Sequence, residues 1–129
     1  MSNIVNTIKE LEDFQALKGV SKDDINSAEE ELGLKFAPEY KEYLIEFGIA
    51  SGNGHELTGL VDSPLVNVVQ VTKKAKATNK NIPEDLYVIE DPAIDKVLIW
   101  QNSKGELFKT IKDSIPEKIN FEFVDYIKQ

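Results

Sequence analysis

The sequence predicts an α+β domain in which a mostly antiparallel sheet packs against helices. The chain has 129 residues, the length of one ordinary domain. Apolar residues recur at helical spacing through most of the first half, whereas short apolar runs separated by turn residues dominate the second half. Leading helices followed by strands are typical of α+β folds. We therefore expect residues 1–129 to form a single domain.

Two helices are predicted before residue 34. The first has apolar residues at helical spacing from Ile4 to Phe14. The second should begin after Ser21, because Asp24 follows at the spacing of a capping box. Gly33 is placed to end this helix in a left-handed conformation.

A third helix should begin at Pro38, a residue favoured in the first helical turn, and end at Gly48. Its buried face would carry the apolar and aromatic residues Tyr40, Tyr43, Leu44 and Phe47. Its opposite face would carry Glu42, Ile45 and Glu46. An isoleucine on that outward face is unusual, because simple patterning would place a polar residue there.

The remaining segments predict strands with two further helices. Residues 48–54 should form a flexible connection, and residues 67–79 a helix. Strands are expected at 56–61, 86–90, 96–101 and 106–110, the last two joined by a hairpin turn at 102–105. The apolar run at 96–101 is typical of a central strand with both faces covered. A final helix should be capped by Asn120, with Phe121, Val124 and Ile127 facing inward.

The charge of the chain favours a basic partner and argues against nucleic acid. The chain has 23 acidic residues and 15 basic residues, a net charge of −8, and all of the basic residues are lysines. Arginine, the preferred residue for bidentate phosphate and base contacts, is absent. Residues 1–62 carry 13 acids and 5 lysines, so the whole excess lies in the first half. We expect no direct binding of nucleic acid, although a general solubility role would also explain the charge.

Composition also limits the chemistry that the chain can perform. It contains no cysteine, which excludes disulfides, thiolate metal sites and cysteine nucleophiles, and it has one histidine. We therefore expect no metal and no cofactor. No apolar run reaches the roughly 18 residues of a membrane span, and the first residues do not resemble a signal peptide. We expect a cytosolic protein with no membrane contact.

His55, the single histidine, is the first residue to consider for catalysis. It could act as a general base beside Glu56, but the sequence favours a solvated loop histidine. The glycines of residues 48–59 lack the GK[ST] ending of a phosphate-binding loop.

The other chemistry-bearing residues favour structural or surface roles. Adjacent acids such as Glu29, Glu30 and Glu31 cannot converge from one helix, so we interpret the carboxylate runs as solvated faces. The lysines at 73, 74, 76 and 80 are interpreted as a solvated helix face that can pair with the acidic half. Trp100 is expected in the core rather than in a groove.

Residues 25–48, INSAEEELGLKFAPEYKEYLIEFG, resemble the N-terminal signature of the SUKH superfamily, in the group named after a yeast cell-wall assembly regulator. That signature is an acidic A-E-x-x-L-G helix, a proline, and a tyrosine-containing helix that ends at a glycine. The segments ELTGL (56–60), NVVQVT (67–72), PEDLYVIED (83–91), VLIWQNSKGELF (97–108) and FEFVDYI (121–127) follow in the family's order.

The resemblance implies an α+β domain without enzymatic activity, and it implies that bacterial members often serve as immunity proteins. We therefore expect this chain to bind a cognate secreted toxin, a basic nuclease that cleaves RNA or DNA, and to neutralise it directly. The candidate contacts are Asp23, Glu30, Glu42 and Glu46, with Ile45 as an apolar anchor.

Two alternatives from other classes stay open at this point. The first is a regulatory scaffold that binds an endogenous protein partner. The second is a carboxylate-based hydrolase, which would require two acids that converge in a cleft.

Overall fold

The computed structural model describes residues 3–129, and among them it has five helices and two antiparallel sheets. The predicted α+β class is confirmed. The helices are α1 (Ile4–Lys9), α2 (Lys22–Leu32), α3 (Pro38–Phe47), α4 (Val68–Thr78) and α5 (Phe123–Tyr126). The strands are β1 (Gln15–Ala16), β2 (Ala50–Gly52), β3 (His55–Glu56), β4 (Tyr87–Glu90), β5 (Val97–Gln101), β6 (Leu107–Ile111) and β7 (Glu117–Ile119). None of the described helices is long and apolar enough to cross a bilayer.

Helix α2 begins and ends where its local signals predict. The Ser21 hydroxyl accepts the Asp24 amide at 3.1 Å, and the Asp24 carboxylate accepts the Ser21 amide at 3.3 Å. This reciprocal pair satisfies two of the amides that a helix start leaves open. Gly33 ends the helix with a φ of 69°, in the left-handed region that glycine adopts without strain.

Glu29 links the end of α2 to the start of α3, contrary to its interpretation as part of a solvated face. Its side chain is only 3 % exposed and accepts the Phe36 amide at 2.9 Å. The Lys41 ammonium lies 3.4 Å from the same carboxylate. A buried carboxylate needs such partners, because burial without them is costly.

The two sheets have the strand orders β1-β2-β3 and β4-β5-β6-β7, and every pairing is antiparallel. They meet through the segment after β3, where the Thr58 amide donates to the Ile89 carbonyl at 2.8 Å. As predicted, β5 is a central strand with both faces covered. One face of its sheet contributes Tyr87, Ile89 and Ile99 to the main core, and the other packs Val88 and Trp100 against α4.

Buried aromatic side chains fill the main core, and their hydroxyl groups form hydrogen bonds within it. The Tyr40 hydroxyl lies 2.8 Å from the Thr58 hydroxyl, and the Tyr43 hydroxyl donates to the Thr58 carbonyl at 2.7 Å. Burial raises the pKa of both tyrosines well above the ordinary value. Trp100 is fully buried and donates to the Thr110 hydroxyl at 2.9 Å, so its predicted core position is confirmed.

Several predicted boundaries differ in the structure. Helix α1 ends at Lys9 rather than near Phe14, and Phe14 instead reaches the Phe47 ring, 5.4 Å between centroids, from an irregular segment. The predicted strand at 56–61 is reduced to the two residues of β3 followed by single bridges. Strand β7 was not predicted at all.

The last helix is displaced from its predicted start. Its N-cap is Glu122 rather than Asn120, and Phe121 is 45 % exposed instead of inward. Phe123 is the buried aromatic in its place. The sequence FEF offers two phenylalanines two positions apart, and only tertiary packing selects which one enters the core.

Residues 50–56 form a tight hairpin, where a flexible connection was predicted over residues 48–54. Asn53 and Gly54 both have positive φ values, 51° and 77°, as a two-residue hairpin turn requires. The side-chain Nδ2 of Asn53 also donates to the Ile127 and Gln129 carbonyls, both at 3.0 Å. The turn therefore holds the segment that follows α5.

Candidate functional site

Helix α2 presents acidic side chains on the face away from the core. Ile25 and Ala28 are buried, whereas Asp23 and Glu30 are exposed, as the helical spacing predicts. Neither of these two carboxylates forms a salt bridge within residues 3–129. Both are therefore available to a partner.

Helix α3 presents a mixed surface. Ile45 is 46 % exposed, which agrees with its predicted outward position. Glu46 is also exposed, but its carboxylate lies 3.5 Å from the Lys9 ammonium of α1. Glu42 is only partly exposed, and one of its carboxylate oxygens is buried with no hydrogen-bond partner in the described chain. The expectation of a freely outward Glu42 is therefore wrong in this respect.

Gly19 brings the start of α2 to the end of α3. A Cβ atom at this position would lie 1.7 Å from the Ile45 carbonyl oxygen, so only glycine permits the contact. The Val20 amide then donates to the Leu44 carbonyl at 3.0 Å. Ile45 and Glu46 thus lie at this junction, and Asp23 lies in the first turn of α2.

Glu30 lies farther along α2 from this junction. Seven residues separate it from Asp23, which corresponds to about 10 Å along a helix. Of the five predicted contact residues, Ile45 and Glu46 therefore lie at the α2–α3 junction, whereas Asp23 and Glu30 lie on the exposed face of α2.

A second cluster joins β3, β4 and α5 around the buried carboxylate of Glu90. His55 Nδ1 lies 2.9 Å from Glu90 Oε1, and the Tyr126 hydroxyl donates to the same oxygen at 2.5 Å. Glu90 Oε2 accepts the Glu56 amide at 3.0 Å. The His55 side chain is only 15 % exposed, so its interpretation as a solvated loop histidine is wrong.

The cluster perturbs the titration of its members. The hydrogen bond to Glu90 raises the pKa of His55 above its ordinary value, and burial partly opposes this shift. Burial, together with the carboxylate beside the hydroxyl, raises the pKa of Tyr126.

The Glu90 cluster has the first two members of a hydrolytic triad but lacks the third. In a triad, the second histidine nitrogen accepts a hydrogen bond from the nucleophile's hydroxyl group. His55 Nε2 is buried, and no hydroxyl group of residues 3–129 forms a hydrogen bond with it. Both oxygens of Glu90 are already engaged by protein donors. Within the described residues, no three His, Cys, Asp or Glu side chains are arranged to hold a metal ion. The geometry supports a structural role.

One signal in the sequence could have indicated this cluster. Glu90 ends the apolar run LYVIE, and a carboxylate inside a buried strand needs a partner. Its partners lie 34 to 36 residues away along the chain, on β3 and α5, so their identity requires the fold.

The lysines of α4 fit the predicted solvated face only in part. Lys73 reaches across to α2, where its ammonium lies 2.8 Å from the Glu31 carboxylate. Lys76 is partly buried and donates to the Glu84 carbonyl at 2.8 Å. These lysines therefore take part in contacts within the chain.

Comparisons with known proteins agree with the fold. The model of the family SUKH_5, described as SMI1-KNR4 cell-wall, matches residues 1–120. A crystal structure of a protein from Pseudomonas syringae pv. tomato superposes with a TM-score of 0.72 at 15 % sequence identity, covering 93 % of this chain and 90 % of that one. At this identity the likeness shows a shared fold. No curated protein matches the chain.

Proposed function

Because the chain belongs to the SUKH_5 family, described as SMI1-KNR4 cell-wall, we propose that it is an immunity protein that neutralises a cognate secreted toxin by binding it directly. The family match over residues 1–120 carries this proposal, since SUKH domains are generally non-catalytic proteins of the immunity type. In this proposal the protein acts in the cytosol, where it protects the cell that produces the toxin.

The charge of the chain supports a basic toxin, and a nuclease in particular. Enzymes that bind nucleic acid carry positive surfaces that contact phosphates. A protein with a net charge of −8 and no arginine is complementary to such a surface. Carboxylates that occupy the phosphate-binding groove would block the substrate, and electrostatic attraction would speed association by about ten- to a thousandfold at low salt.

The proposed contact surface lies at the α2–α3 junction and along the outer face of α2. Asp23 and Glu30 supply carboxylates that form no salt bridge with residues 3–129, and Ile45 supplies an exposed apolar side chain. Glu46 contributes less to binding, because the Lys9 ammonium already lies beside its carboxylate. Glu42 can reach a partner only in part, because one of its carboxylate oxygens is buried. An apolar anchor with a charged rim is the usual arrangement of a protein–protein interface.

Co-expression tests the proposal directly. The toxin domain encoded by the adjacent gene would be expressed in a bacterial host with and without this chain, and survival would be counted. We expect the chain to restore growth and to co-purify with the toxin domain. Equal killing in both cultures would refute the proposal, and a gene neighbourhood without a secreted toxin would favour the regulatory scaffold.

A pair of charge-reversal variants tests the surface. The variant with Glu30→Lys and Glu46→Lys should slow association by about tenfold at low salt. The control variant, Glu84→Lys with Asp113→Lys, has the same change in charge at two exposed positions outside α2 and α3. Equal slowing by both variants would show that total charge, and not this surface, governs capture.

A further inference from the structure

A groove of about 430 Å³ lies between α2 and α4, on the side of α2 that the predicted contact residues do not occupy. Its apolar lining includes Ala28 from α2, Leu60 from the segment after β3, and Val69 from α4. Every charged residue that lines it is acidic: Asp24, Glu31 and Asp62.

The segment that forms one wall of this groove is fixed in place. The Gly59 amide donates to the Val66 carbonyl at 3.0 Å, and the Val68 amide donates back to the Gly59 carbonyl at 2.8 Å. The Asn67 side chain, which caps α4, also donates to the Val61 carbonyl at 3.0 Å. The wall that carries Asp62 is therefore held against the start of α4, and a groove that is already formed costs a partner little ordering entropy.

The three acids differ in how many salt bridges and hydrogen bonds they form within the chain. Glu31 is paired with Lys73 at 2.8 Å. Asp24 uses one carboxylate oxygen to accept the Ser21 amide, and Asp62 has no salt bridge or side-chain hydrogen bond among residues 3–129. Two carboxylates that have no cationic partner in the described part of the chain thus lie beside an apolar lining.

This combination matches the side chain of arginine. Arginine joins an apolar three-carbon stem to a cationic head, and its guanidinium is more weakly hydrated than an ammonium and can bind carboxylates with several donors. A second copy of this chain is a poor occupant, because it has no arginine and would bring a net charge of −8 towards an acidic groove.

We infer that the α2–α4 groove receives an arginine side chain of the toxin, with the stem against Leu60 and Val69 and the guanidinium against the carboxylates of Asp24 and Asp62. The inference rests on the proposed function for the identity of the partner. It adds a specific anchor to a surface that otherwise depends on exposed charge, since interface hot spots are typically aromatic or arginine side chains in pockets.

The first experiment examines the groove without the toxin. The 15N-labelled chain is titrated with N-acetyl-arginine amide and, separately, with the neutral isostere N-acetyl-citrulline amide. We expect the arginine derivative to shift the amide resonances of Leu60, Val61 and Gln70 most, and the citrulline derivative to leave them in place. Asp62→Asn should reduce the shifts. Equal shifts from both compounds, or largest shifts elsewhere on the chain, would overturn the inference.

The second experiment uses the toxin domain encoded by the adjacent gene and two matched variants. Ser27 is exposed and lines the groove, whereas Ser103, in the turn between β5 and β6, is exposed and lies outside α2 and α3. Ser27→Lys and Ser103→Lys therefore make the same replacement, but only the first places a cation in the groove. We expect Ser27→Lys to weaken binding by more than about tenfold and Ser103→Lys by less than about threefold.

The outcomes separate the two claims. If the unaltered chain does not bind the toxin domain, the proposed function fails, and the titration alone decides whether the groove takes a cationic side chain. If the chain binds and both lysine variants weaken it equally, the function stands and the groove inference is wrong. Thermal unfolding of both variants checks that each is folded.

Discussion

Replacing Glu90 with glutamine should lower the free energy of unfolding by about 3 kcal/mol near pH 6. Glu90 accepts hydrogen bonds from His55 at 2.9 Å, from the Tyr126 hydroxyl at 2.5 Å and from the Glu56 amide at 3.0 Å. The amide side chain of glutamine keeps one acceptor but loses the charge and one acceptor oxygen. Breaking a buried pair typically costs about 3–5 kcal/mol, and we take the lower end because His55 is partly exposed.

The pH dependence of this loss follows from the raised pKa of His55. A histidine whose pKa is higher in the folded state than its unfolded value of 6.5 stabilises the fold fully below that value. The contribution is then lost as the pH rises through the higher folded pKa. We therefore expect the stability difference between the unaltered chain and Glu90→Gln to shrink from pH 6 towards alkaline pH.

Chemical denaturation at several pH values, followed by the fluorescence of Trp100, measures both effects. Glu56→Gln is the matched control, because it removes an exposed carboxylate beside the cluster and leaves the amide that binds Glu90. Its effect should stay within about 0.5 kcal/mol. A Glu90→Gln variant as stable as the control, or one whose stability keeps the same slope with pH as the unaltered chain, would refute the role of the pair.

Three further pairs of substitutions test the packing of the fold by thermal unfolding. Glu29→Gln should cost about 3 kcal/mol, because the buried side chain loses its charge and one of the oxygens that face the Phe36 amide and the Lys41 ammonium. Glu30→Gln on the exposed face should cost less than about 0.5 kcal/mol, and equal costs would show that Glu29 is not held as described. Gly19→Ala should cost more than about 2 kcal/mol, because its methyl group would overlap the α3 backbone. Gly33→Ala has open space around it and should cost about 1 kcal/mol for its left-handed φ. The opposite ranking would contradict the close approach of Gly19 to α3. Trp100→Ala should cost about 4 kcal/mol and Trp100→Phe less than half of that, with unfolding followed by circular dichroism. A cost near zero for both variants would mean that the Trp100 side chain is not packed in the core.

The helices that were predicted well carry their signals within a few residues. Ser21, Asp24 and Gly33 set both ends of α2, and Pro38 and Gly48 set those of α3. Caps, first-turn prolines and left-handed glycines act through local backbone geometry. A sequence therefore shows them without any knowledge of the fold.

The segments that were predicted wrongly depend on contacts that are distant in sequence. Leu11 and Phe14 have helical spacing, yet the helix ends at Lys9 and the chain turns over residues 10–13, which leads it into β1 and the pairing of β1 with the distant β2. Asn53–Gly54 is an exception, since this dipeptide is a strong local hairpin signal that the flanking polar residues obscured. The roles of Glu29 and Glu90 were hidden because helix and strand patterns indicate burial but not the partners of a buried charge.

The salt bridges, which the sequence does not show, also change the interpretation of the acidic half of the chain. Counting residues assigns the whole charge excess to positions 1–62, but several of those carboxylates already bind lysines: Glu29, Glu31 and Glu46. Among the described residues, the acids of α2 that form no salt bridge with a lysine are Asp23, Asp24 and Glu30, and Asp62 lies across the groove from that helix. A partner that approaches α2 therefore meets four carboxylates with which no lysine of the described residues forms a salt bridge. If recognition follows charge, helix α2 should contribute more to toxin binding than any other element, and substitutions on its two exposed sides should have separable effects on association rate and on affinity.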